Sequence, residues 1–109
     1  MSDQAASAET NYYFKTVNSH ASRFASIVGC HPDEFDASKI SKFDHSQLES
    51  IGAALAKLRP TIGMYIKYLK NNRDDYDPEI YGKIMQKALE VKDAVSAAGK
   101  ECHRLMKSK

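Results

Sequence analysis

The sequence lacks the devices on which familiar enzymes rest. It has no Gly-rich phosphate loop, no nucleophile elbow and no paired-carboxylate constellation. It also has no internal repeat and no low-complexity segment. The expectation is therefore a protein that is not an enzyme, takes no cofactor and turns over no small-molecule substrate. Two cysteines, Cys30 and Cys102, are too few for a disulfide scaffold and read as thiols. Neither sign of charge dominates. Sixteen Lys and Arg against 14 Asp and Glu leave +2, too little to call for nucleic acid by its magnitude. Every charge-free stretch falls far short of the roughly 20 apolar residues that cross a bilayer, so no membrane association is expected. The polar opening, residues 1–11 with Asp3 and Glu9, does not show the basic-then-apolar order of a signal peptide. A cytoplasmic location follows as the default.

What the sequence does have is apolar periodicity. Leu48, Ile51, Leu55, Leu58, Ile62, Tyr65 and Leu69 recur at steps of three and four, which on a helix lines them along one face. Ser46 and Glu49 stand at capping-box spacing and predict the start of this helix. Pro60 removes a backbone donor without changing the phase of the stripe, so a kink rather than a break is expected. A second stripe is formed by Phe14, Val17, Ala21, Phe24 and Val28, widened by Tyr13 and Ile27. It predicts a helix from an N-cap at Thr10 or Asn11 to a C-cap at Gly29. The third stripe runs through Tyr81, Ile84, Ala88, Val91, Val95, Ala98, Cys102 and Leu105. Asp77 is its expected N-cap, with Pro78 at the first helical position.

Between the first two stripes, Asp33 and Glu34 suit the first turn of a short helix after Pro32, while Phe35, Ile40 and Phe43 hold no long period. One or two short turns are expected there, with the three large side chains plugging one end of the molecule. The fold class that follows is all-α: an antiparallel bundle of three long helices with a short helical connector between the first and second. Residues 1–9 carry no periodicity and read as a flexible N-terminus, leaving residues 10–107 as a single helical-bundle domain.

At a rise of ~1.5 Å per residue the last two helices reach roughly 40 Å and the first about 28 Å, so the tips of the long pair are expected to project. Met64, Ile66, Tyr68, Tyr76 and Tyr81 lie at those tips, bordered by Lys67, Lys70, Arg73, Lys83 and Lys87. Tyr, Met and Arg are enriched at interfaces because they bury much area at modest entropic cost. The candidate partner-binding residues are Met64, Ile66, Tyr68, Arg73, Tyr76 and Tyr81. The function expected is that of a non-enzymatic protein–protein interaction module, an adaptor, chaperone, inhibitor or regulator. It would present a Tyr/Met-rich helical face to a protein partner or, as a homodimer, to itself.

Two alternatives rest on histidine. His20 in mid-helix, with Arg23 close behind it, resembles the histidine phosphotransfer domains, helical bundles in which a solvent-facing histidine carries the phosphoryl group. Those domains keep a small residue four positions after the histidine, and Phe24 stands there in this chain. The other alternative gathers Cys30, His31, Cys102 and His103, with His45, at one pole of an up-down-up bundle. These are ligand types that zinc prefers, although their spacing matches no compact zinc module and Cys102 falls on the apolar stripe. His45 and Glu49 share a helix face but lack the second such pair that a di-metal bundle requires, so no metal ligands are assigned.

Overall fold

A computed structural model describes the backbone of residues 2–108 and the side chains of residues 13–108. Four α-helices follow in order: α1 (Ser2–Val28), α2 (Ser38–Ser41), α3 (His45–Asn71) and α4 (Pro78–Ser108). Single 3-10 turns at Pro32–Glu34 and Arg73–Asp75 stand in the connectors. There is no strand among the described residues.

The chain ends its helices where local chemistry directs. α1 stops at Gly29, whose φ of 96° lies in the left-handed region that costs a side-chain-bearing residue strain. The Gly29 N–H donates to the Ala25 carbonyl at 2.8 Å. α4 starts as expected, with the Asp77 carboxylate accepting from the Glu79 N–H at 3.0 Å. α3 starts two residues earlier than the Ser46 and Glu49 spacing predicts. The Asp44 carboxylate accepts from the Gln47 N–H at 2.8 Å, and Gln47 Oε1 accepts from the Asp44 N–H at 2.9 Å. This is the same reciprocal box built from a charged acceptor, which the positive end of the helix favours over a hydroxyl. Further along, α3 passes through Pro60 unbroken. Pro60 and Ala56, the residue whose carbonyl loses its intrahelical donor, both lie on the exposed side of the helix.

Two expectations are corrected. The first concerns α1, which is helical from Ser2, so Thr10 and Asn11 lie within it instead of capping it. Ala5, Ala6 and Ala8 are strong helix formers, and propensity carries the helix past the start of its apolar stripe. At 27 residues α1 equals α3 in length, and the tips of the long pair do not outreach it: Tyr13 of α1 meets Tyr76 with ring centroids 5.5 Å apart. The second concerns the connector, which does not plug one end. The turn at Pro32–Glu34 lies in a cleft with Asn18 and Ala21 of α1 and Lys87 and Val91 of α4, so the chain doubles back along the groove between those helices. Phe35 packs edge-to-face on Phe24 at 5.8 Å, and Ile40 is fully buried.

The three stripes supply the core. Val17, Phe24 and Val28 of α1, Leu48, Leu55, Leu58, Ile62 and Leu69 of α3, and Ile84, Val91 and Val95 of α4 are all essentially inaccessible. α1 and α3 run in opposite directions, since His20 stacks on Tyr65 while the later Ser26 and Ile27 share a cleft with the earlier Ala54 and Lys57. α3 and α4, joined through residues 72–77, pack along their length as the next antiparallel pair. No helix among the described residues is long and apolar enough to cross a membrane.

Replacing the cap separates the two candidate starts of α3. Asp44→Ala should lower stability by about 1 kcal/mol, whereas Ser46→Ala should change it by less than ~0.5 kcal/mol. Urea denaturation followed by circular dichroism measures both, and a larger loss at Ser46 would return the cap to that residue.

Candidate functional site

α1 and α3 together form a feature that the sequence pattern does not reveal by itself. Between α1 and α3 lies a groove of about 540 Å³, walled by Tyr13 and His20 of α1, Tyr65 and Tyr68 of α3, and Tyr76 of the connector. The residues reach it by simple periodicity. Tyr13, Thr16, His20 and Arg23 fall at three- and four-residue steps on α1, and Tyr65 and Tyr68 are three apart on α3.

Ring contacts knit the groove together. His20 stacks on Tyr65 with centroids 5.4 Å apart and planes inclined by 18°. Tyr76 packs edge-on against Tyr13, and its other neighbour Tyr81 lies 6.4 Å away. The Arg73 guanidinium sits 5.5 Å over the Tyr81 ring, a cation–π contact that fixes the outer end of the cluster. The phenols of Tyr68 and Tyr76 lie close enough to act on that of Tyr65. Burial, followed by the neighbouring Tyr76 and Tyr68 hydroxyls, pushes Tyr65 up to about 12 from an ordinary 10.0. Burial also raises Tyr76, helped by the nearby Tyr68 phenol and a hydrogen bond with it. Both phenols therefore stay neutral, as groups partly withdrawn from water do.

His20 is the one polar side chain buried in the described interior, at 7% exposure. Its Nδ1 lies 2.7 Å from the Thr16 carbonyl oxygen. A carbonyl only accepts, so Nδ1 is the donor of this bond.

The six candidate interface residues divide. Tyr68, Tyr76 and Tyr81 join one aromatic cluster, with Arg73 against it. Met64 stands one turn before Tyr68 on the outer surface, 73% exposed against 54% for Tyr68. Ile66 is corrected to the core at 6% exposure, because it sits four residues after Ile62 and three before Leu69 on the buried stripe. The groove residues outside the expected partner-binding set are Tyr13, His20 and Tyr65, His20 being a candidate only as a phosphoryl carrier. Their periodicity was visible, but a first helix starting near Thr10 appeared too short to meet the tip, and Tyr65 read as core.

Neither histidine alternative finds its geometry. His20 is buried under Tyr65 rather than turned to solvent, and Phe24, four residues on, fills the core beside it. His31 lines the cleft between α1 and α4, while Cys102 and His103 border a different groove between α3 and α4. Among the described residues no three His, Cys, Asp or Glu side chains gather to hold a metal. Cys30 and Cys102 are both free thiols, and burial raises the pKa of each.

Comparison with protein-family models, with curated proteins and with solved structures finds no match to this chain.

The raised Tyr65 phenol has a consequence for stability against pH. Its folded value exceeds its unfolded one, so its contribution is complete below pH 10 and is lost as pH rises towards about 12. Tyr65→Phe should flatten this part of the stability–pH curve and remove the highest-pH step from the phenolate absorbance titration. A variant curve parallel to wild type across that window would show that the phenol is not withdrawn from water.

Proposed function

We propose that the chain is a non-enzymatic protein–protein interaction module that docks a partner on the face formed by Met64, Tyr68 and the neighbouring tyrosines. The observation that carries this reading is the exposure of Met64 at 73% and Tyr68 at 54%, one helical turn apart. Among the described large hydrophobic side chains only Leu89, at 40%, joins them in the exposed class. Covering a methionine and a tyrosine side by side removes apolar area from water, at roughly 25 cal/mol per Å² before the costs of association. The face adjoins a half-buried aromatic cluster already held in place by ring contacts, so little ordering remains to oppose docking. Lys67, Lys70 and Arg73 border it and favour a partner with acidic residues around an apolar centre. An adaptor, chaperone, inhibitor or regulator acting in the cytoplasm fits this reading, and a second copy of the chain is the simplest protein that could occupy the face.

A photo-crosslinking residue in place of Met64 tests it in the protein's own cells. It should give a discrete protein adduct that Tyr68→Glu removes, and light scattering of the purified chain should show whether that adduct is a homodimer. The Met64→Glu/Tyr68→Glu double variant should retain its helical circular dichroism. Absence of any adduct overturns the reading, and loss of helicity in the double variant shows instead that the two side chains serve the fold.

A further inference from the structure

The groove between α3 and α4, of about 520 Å³, shares no residue with the face of Met64 and Tyr68. Its α3 wall carries Glu49, Gly52, Ala56 and Arg59, and its α4 wall includes Ser96 and Gly99. Glycine inside a helix weakens it relative to alanine, so its presence calls for a reason in packing. Nothing within the chain supplies one. A Cβ added at any of the four helical glycines would meet nothing within 4 Å, and two of the four, Gly52 and Gly99, stand on this groove. Small side chains on both walls let a further helix approach closely.

Charge says which helix. Glu49 and Arg59 are both exposed, and neither takes part in an ion pair: among the described residues those are Lys83 with Glu79 and Arg104 with Glu101. Their spacing is symmetric, since Gly52 follows Glu49 by three residues and Ala56 precedes Arg59 by three. At about 100° and ~1.5 Å per residue, the two pairs are centred on one line of the helix surface, with Glu49 and Arg59 roughly 15 Å apart. A two-fold axis through that line at the level of Ala54 reverses the helix. It lays Gly52 of one chain over Ala56 of the other and Glu49 over Arg59, each contact occurring twice. A helix docked here must offer small residues flanked by a cation for Glu49 and a carboxylate for Arg59, and α3 carries that pattern itself. We infer that the groove receives α3 of a second copy, antiparallel, in a two-fold dimer with Glu49 of each chain against Arg59 of the other. The contact does not rest on the Met64 reading and leaves that face open to a protein of another kind.

Sedimentation equilibrium of the full chain over a micromolar concentration series should show a dimer in reversible exchange with monomer. Glu49→Arg and Arg59→Glu each turn both symmetry-related pairs into like charges and should weaken the dimer at least ~10-fold. The double variant Glu49→Arg/Arg59→Glu restores opposite charges across the axis and should recover most of that loss. Gly52→Gln should weaken the dimer while the chain keeps its helical circular dichroism, since a Cβ there meets no neighbour of its own. Met64→Glu should leave the dimer unchanged. A monomer at every concentration overturns the inference and leaves the groove to a different protein. A double variant that dimerises no more tightly than either single one also overturns it. So does a dimer that Met64→Glu dissolves and Glu49→Arg does not, which places the second copy on the docking face and leaves the interaction reading standing.

Discussion

Burial of the α3 stripe is the constraint on which the remaining structure depends. Leu48, Leu55, Leu58, Ile62 and Leu69 extend along the whole of a 27-residue helix, and each is inaccessible. One neighbouring helix cannot cover a stripe of that width, so α4 takes one flank and α1 the other. The connector is drawn into the same logic. Ile40 and Phe35 find cover against the main helices rather than at the end of the bundle, and the chain folds back to deliver them. Continuity of the stripe also explains why Pro60 is tolerated: a helix end at that point would have exposed Ile62, Ile66 and Leu69 together.

The periodicity of the core was legible because a helix imposes one spacing on every residue it buries. All three stripes, the glycine stop at Gly29 and the Asp77-Pro78 start follow from local rules that tertiary contacts reinforce. Local rules fail where two candidates compete or where none applies. Asp44 and Ser46 both offer a capping oxygen within one turn, and only their electrostatic difference decides between them. The N-terminal extension of α1 carries no apolar period, so its helical state rests on alanine propensity, a weaker signal than a stripe. The path of the connector is a tertiary matter, settled by which groove has room for Phe35.

The groove illustrates the same limit at the level of function. Its residues come from α1, α3 and the turn before α4, and no motif joins them in sequence. Ile66 and Met64 are two positions apart, which on a helix turns one to the core and the other to water. Composition alone groups them as apolar residues at a tip; only the register on α3 separates them. His20 shows the opposite error: a polar residue on an apolar face reads as exposed, whereas its Nδ1 is satisfied by the carbonyl one turn back and its ring packs on Tyr65. A histidine can enter an interior this way because one hydrogen bond within its own helix offsets part of the cost of burial.

Tyr68 joins the groove between α1 and α3 to the outer face. It forms a wall of the groove and is half of the exposed pair with Met64. The register of α3 accounts for both places: Tyr68 stands four residues after Met64 and three after Tyr65, whose ring stacks on His20, so it lies between the water-facing side of the helix and the side turned to α1. A partner docked on Met64 and Tyr68 would therefore also meet the rim of the aromatic cluster.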